Sequence, residues 1–279
     1  MSDEVGKSSL EVFTKNRLEN HLYASLIHLP DYPAINLITH TQIGTHHTDH
    51  NEDAFLTAEI TDRHLLLAVM DGCSSGTDAH FATGLIAKVL RRIAKQTNLR
   101  SFAERTSPTT EQLLKDTLRT LLADLARLSS DLDLDQVELL STLVLAIVDT
   151  QDRHAEIVVI GDGVIACDEE IIEFDQQNKP DYLGYHLHED FDDYWNLLTQ
   201  RVTATDFLDL ALASDGVFAF RAFSHDSYRP VTEEELISFL LCHRDEGPDE
   251  TAYRRKVIYI SNTFGLKPTD DLTVVRVMV

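Results

Sequence analysis

Four acidic positions recur where apolar runs begin or end. Glu52 and Asp53 open a strand-like run in Asn51-Glu52-Asp53-Ala54-Phe55. Asp71 follows the apolar run 65–70 and leads into Gly72. Asp215 sits in Ser214-Asp215-Gly216, just after the run 207–213. Asp270 and Asp271 precede the last apolar run, 272–279. Each corner alone reads as a turn, because Asp caps locally and Gly accepts a left-handed backbone. Together they suggest chemistry. If antiparallel strands bring these ends to one edge, four or five carboxylates meet, and they cannot all stay ionised in contact without cations. Oxygen-only ligation points to Mg²⁺ or Mn²⁺ rather than zinc. His46, His47 and His50 crowd one segment, which reads as an exposed polar loop rather than a zinc site.

The elements that would position these corners follow from periodicity. Strand-like runs occupy 37–43, 54–60 and 64–70, the last two joined by a hairpin-length link. Phe81, Leu85, Val89 and Ile93 fall four apart. Leu114, Leu118, Leu121, Leu125 and Leu128 alternate steps of four and three, so each set lies on one helix face, with Ser107-Pro108 as the break. Further strands are expected at 140–148, 156–160, 164–167, 169–174, 201–204 and 207–213. Helices are expected at 232–241, where Thr232 and Glu235 spell a capping box, and at 251–263. The order is strand block, helix pair, strand block, helix pair, strand, with short links. It predicts an α+β four-layer α-β-β-α sandwich: two packed antiparallel sheets flanked by helix pairs. Residues 1–36 read as an N-terminal extension with weak helical patterning at Leu10, Phe13 and Leu18. Residues 37–279 read as one domain, with an insertion or flap around 175–200.

Composition narrows the function. The 279 residues carry 47 acids against 24 bases, a net charge of −23. Such a chain repels phosphate backbones and anionic lipid, so neither nucleic acid nor membrane is an expected partner. No run approaches the roughly 20 apolar residues of a membrane helix. The three cysteines, Cys73, Cys167 and Cys242, form no CxxC pair, and residues 1–10 carry no apolar leader. A reducing cytoplasm and a monomer are the expectation.

In order and spacing, several segments resemble the metal-dependent protein Ser/Thr phosphatases of type 2C. They are Asn51-Glu52-Asp53-Ala54-Phe55, Val69-Met70-Asp71-Gly72 with Ser75-Gly76, and Ser141-Thr142-Leu143-Val144. They continue with Ile160-Gly161-Asp162-Gly163, Ala213-Ser214-Asp215-Gly216 and Asp270-Asp271-Leu272-Thr273-Val274-Val275. The resemblance covers about residues 40–279. It implies two Mn²⁺ or Mg²⁺ ions held by Asp53, Asp71, the Gly72 carbonyl, Asp215 and Asp270. Asp71 would bridge the ions, and Glu52 would hold metal-bound water. Glu52, Asp53 and Asp71 would form the catalytic group. A metal-bridging water would attack phosphoserine or phosphothreonine in a protein partner, in a signalling role.

Departures from the family pattern concern the substrate. An arginine commonly stands three residues before the Asn of the Asn-Glu-Asp segment, where it grips phosphate; here that position is Thr48. Asp271 replaces a commoner Asn, so Asp271→Asn is expected to be mild. Two readings other than an active phosphatase are a pseudophosphatase that binds a phosphoprotein without turnover, and a metal hydrolase of another phosphoester.

Overall fold

A computed structural model describes residues 35–279, apart from 75, 77, 106, 178, 224–227, 245–248 and 250. The helical patterning expected around Leu10, Phe13 and Leu18 lies outside the described residues, as does Ser75.

Strands β1 (Asn36–Gln42), β2 (Ala54–Glu59) and β3 (His64–Met70) come first, then helices α1 (Ala79–Glu104) and α2 (Thr110–Leu132). Strands β4 (Leu143–Asp149), β5 (His154–Ile160), β6 (Gly163–Cys167) and β7 (Glu170–Phe174) follow, then α3 (Phe191–Leu197), β8 (Arg201–Thr205), β9 (Asp209–Ala213) and β10 (Phe220–Ala222). The chain continues through α4 (Glu233–Leu241), α5 (Ala252–Phe264), β11 (Leu266–Pro268) and β12 (Leu272–Met278).

One sheet runs β2-β3-β4-β5-β8 and the other β1-β12-β9-β6-β7, with antiparallel neighbours throughout. Three apolar layers hold them. Leu67, Val69, Val144, Ile157, Ile165, Leu212 and Val275 fill the space between the sheets. Leu66, Ala68, Leu145 and Val158 point the other way, onto Ile86, Leu90, Leu114, Leu118 and Leu121 of α1 and α2. Val274, Ala211 and Ala213 pack on Leu236, Leu240, Tyr253 and Ile260 of α4 and α5. Central strands are therefore covered on both faces, which is why β3 and β4 are buried at every position and read as unbroken apolar runs. This is the four-layer sandwich the sequence predicts.

The leucine stripe of α2 is core, and Thr109 starts that helix by accepting from the Gln112 N–H at 3.2 Å. Both bonds of the capping box at Thr232 and Glu235 form, at 2.9 and 3.1 Å. Within 175–200, α3 and a 3₁₀ turn at Leu183–His186 seat Leu183, Tyr194 and Trp195 in the layer beneath α1 and α2. The two-stranded ribbon β10-β11 is an addition to the sequence reading. Three residues per strand, one of them Pro268, are too few to show alternation. Among the described residues, no helix is long and apolar enough to cross a membrane.

Candidate metal centre

Register brings the acidic corners together. Ala54 pairs with Met70, so Asp53 and Asp71 flank one rung at the edge of the first sheet. Val274 pairs with Ala213 in the second sheet, which sets Asp215 near the head of β12, where Asp270 and Asp271 stand. The two sheet ends face each other across the sandwich: the Ser214 hydroxyl donates to Asp53 Oδ2 at 2.7 Å. Close backbone approach is needed here. A Cβ on Gly44 would meet the Asp270 carbonyl carbon at 2.2 Å, and one on Gly216 the Asp271 oxygen at 1.8 Å.

Asp53 is buried. Its N–H donates to Asn51 Oδ1 at 2.9 Å, while its own Oδ1 is buried with no hydrogen-bond partner among the described residues. Burial, with the charges of Asp271 and Asp215 behind it, pushes the Asp53 carboxyl up to about 8 despite bonds from Ser214 and Thr273. Asp71 is raised well above the ordinary range, first by burial and then by Asp53, Asp215 and Asp270, and it shares a hydrogen bond with Asp215. Asp215 is raised by burial and by Asp270. Asp270 sits at the rim with its side chain half exposed. Gly72 pairs with Ser141 across the sheet edge, which fixes the backbone next to Asp71. Glu52 lies close by: its Oε2 accepts from the Ser74 hydroxyl at 2.7 Å, and its carbonyl accepts from Thr83 of α1 at 2.8 Å.

The donor set suits a hard divalent cation. Three carboxylates lose water and press on one another, one acceptor oxygen is orphaned, and the donors these acids offer are all oxygen. Among the described residues, no three His, Cys, Asp or Glu side chains stand close enough together to hold a metal ion as placed. The acids are gathered but spread over two sheet ends.

Two residues carry more here than the sequence reading gave them. Asp271 is buried and accepts at both oxygens, from the Gly44 N–H at 2.7 Å and the Glu52 N–H at 2.5 Å. It thereby ties the segment before Asp53 to the head of β12. His47 turns inward from the histidine-rich segment, with Nδ1 2.9 Å from Asp271 Oδ2 and Nε2 3.8 Å from Asp270. Burial pulls the imidazole down, but the Asp271 bond and the charges of Asp271, Glu52 and Asp270 outweigh it and hold His47 above its ordinary value. His50 instead stacks on His80 of α1, and His46 is exposed, so the three do not converge. Thr48 is exposed, and its hydroxyl meets Asp49 at 3.3 Å. Beside Asp215 and Asp270 opens a cleft of about 360 Å³, lined also by Asp162, Asp175 and Arg221. Asp162 was visible in the Gly161-Asp162-Gly163 segment; Arg221 stood in the sequence as one of several cations, with Arg63 and the 46–50 segment, able to take the place of the arginine missing at Thr48, and the structure puts it on the unforeseen ribbon beside the cleft.

Fold and site together define a two-sheet protein with an acidic centre at one end. Residues 43–247 match the family model of protein phosphatase 2C, and the chain belongs to that family. No curated protein matches the sequence. Solved structures share the fold. A point mutant of a bacterial serine phosphatase superposes with a TM-score of 0.60 at 15% identity, over 88% of this chain and 98% of that one. Serine/threonine phosphatase Stp1 from Staphylococcus aureus gives 0.58 at 14%, over 90% and 98%. RsbX in complex with magnesium gives 0.50 at 14%, over 90% and 97%.

Proposed function

We propose that the chain is a Mn²⁺- or Mg²⁺-dependent phosphatase acting on phosphoserine or phosphothreonine in proteins. The carrying observation is the mutually repelling group of buried Asp53 and half-buried Asp71 and Asp215, with Asp53 Oδ1 left without a hydrogen-bond partner. The magnesium held by RsbX supports the same reading.

Asp53, Asp71, the Gly72 carbonyl, Asp215 and Asp270 would hold two ions. Such ions, when bound, supply Lewis-acid charge opposite phosphoryl oxygens and a water of lowered pKa. The chain's own residues do the rest. Asp271 fixes Glu52 and, through it, Asp53. Ser214 locks one oxygen of Asp53 and leaves the other free to ligate. Glu52, part-exposed and held by Ser74, would hold the attacking water and accept its proton. With Thr48 neutral, His47 beside Asp270 and Arg221 in the cleft lined by Asp215 and Asp270 are the basic groups offered to the substrate's phosphate.

Phosphate release from a phosphothreonine peptide and from a small aryl phosphate, with Mn²⁺ and then with chelator, tests the reading. Turnover of both that stops with chelator is expected. Binding of the peptide without turnover of either substrate would make the chain a pseudophosphatase instead. Chelator-resistant turnover would overturn the metal mechanism.

A further inference from the structure

Helix α1 outruns the body it packs on. Up to Ala94 its inner face is buried on the first sheet and α2; from 95 to 104 none of its residues is buried. At 1.5 Å per residue those ten positions project about 15 Å. Leu99 is 59% exposed and Phe102 86%. The same stretch is basic in a chain of net charge −23. Arg91, Lys95, Arg100 and Arg105 are exposed, and Glu104 is the single acid between 88 and 105. Arg92 is paired with Asp124, whereas those four cations have no ion-pair partner among the described residues. An apolar pair ringed by free cations matches an acidic, amphipathic segment.

The chain itself carries an amphipathic stretch of mildly acidic balance, net −2 over residues 1–34. Residues 1–34 hold Asp3, Glu4, Glu11, Glu19 and Asp31 against Lys7, Lys15 and Arg17, with Leu10, Phe13 and Leu18 at helix-like spacing. The point of entry is on the right side of the molecule. β1 begins at Asn36, opposite Met278, and ends at Gln42, opposite Leu272 beside the acidic centre. The chain therefore enters the fold at the end remote from that centre. α1 starts next to Gly72 at the centre and runs along β2, so its free tip projects from the same remote end. Thirty-four residues reach on the order of 100 Å when extended, several times the thickness of the sandwich.

We propose that residues 1–34 dock on the free end of α1, with their apolar residues on Leu99 and Phe102 and their acids among the four cations. Hydrogen–deuterium exchange of the full chain tests this against the Leu99→Ser/Phe102→Ser variant. Both side chains lie outside every core layer, so the fold should survive; Phe102→Ser alone serves if the pair does not. The expected result is exchange at 8–20 and 95–104 that is about tenfold faster in the variant. Equal rates in the two proteins would overturn the proposal. A mixture of ¹⁴N and ¹⁵N chains, treated with an amine cross-linker, identifies the occupant. Links from Lys95 to Lys7 or Lys15 within one isotope support docking in the same chain. Mixed-isotope links would assign the face to a second copy and overturn it.

Discussion

Asp271 is the residue whose role changes most between sequence and structure. As a replacement for a commoner Asn it reads as tolerant. In the fold, both its oxygens accept backbone N–H groups, from Gly44 and Glu52, and His47 closes on it. Asn offers one acceptor oxygen; its amide nitrogen would turn N–H toward N–H. Leaving one buried donor unpaired costs about 1–3 kcal/mol. Asp271→Asn is therefore expected to lower kcat/KM by roughly ten- to a hundredfold at saturating Mn²⁺, because Glu52 and Asp53 lose their anchor. Wild-type kinetics in that variant would restore the tolerant reading. The contact was illegible in sequence because it joins positions more than 200 residues apart, and because a loop histidine's direction depends on the partner it meets.

The same centre sets a pH dependence. Asp53 is pushed up to about 8 in the metal-free fold, and Asp71 and Asp215 move in the same direction. Between the ordinary carboxylate range and about 8, the folded chain holds a proton that the unfolded chain has released. The stability these groups lend is thus present at low pH and falls as pH rises through that window. A cation takes the proton's place, so its benefit grows with pH. Differential scanning calorimetry with Mn²⁺ and with chelator should give a larger metal-induced rise in Tm at pH 8 than at pH 5.5. An equal rise at both would contradict the burial of these acids.

At the scale of elements, long periodic segments were the legible part. The leucine stripe of α2, the doubly buried β3 and β4 and the capping box of α4 all stand where their patterns put them. The β10-β11 ribbon and the 3₁₀ turns were not legible, since three or four residues carry no period. One element-scale contact also escaped. Arg276 of β12 donates from Nε to Asp209 Oδ1 of β9 at 2.7 Å, with both side chains only 3% exposed. Inside an apolar sheet this pair fixes register more than it adds stability. Asp209→Ala strands a buried guanidinium and should cost about 3–5 kcal/mol. Urea unfolding monitored by circular dichroism would measure it; a change under 1 kcal/mol would mean that water and the Cys242 and His243 carbonyls, which Arg276 already bonds, satisfy the guanidinium.

At the scale of the molecule, two sheet ends must meet for any of the acids to matter. The first sheet supplies Asp53 and Asp71; the second supplies Asp215, Asp270 and Asp271. Sequence order and antiparallel polarity could suggest that strand ends within a sheet meet at one edge; that both sheets bring their acids to the same end of the sandwich was implied by the family resemblance alone. They could not foresee how far apart the carboxylates stand without cations, since that distance is a balance of repulsion, burial and the Ser214 and Asp271 anchors. The central claim is that this end of the sandwich is a divalent-cation site. Isothermal titration of Mn²⁺ into the chelator-stripped full chain tests it most directly. Binding of two ions per chain is expected, with protons released on binding at pH 7 and the heat largely lost in Asp53→Asn. No heat up to millimolar Mn²⁺, or the same isotherm in Asp53→Asn, would contradict it.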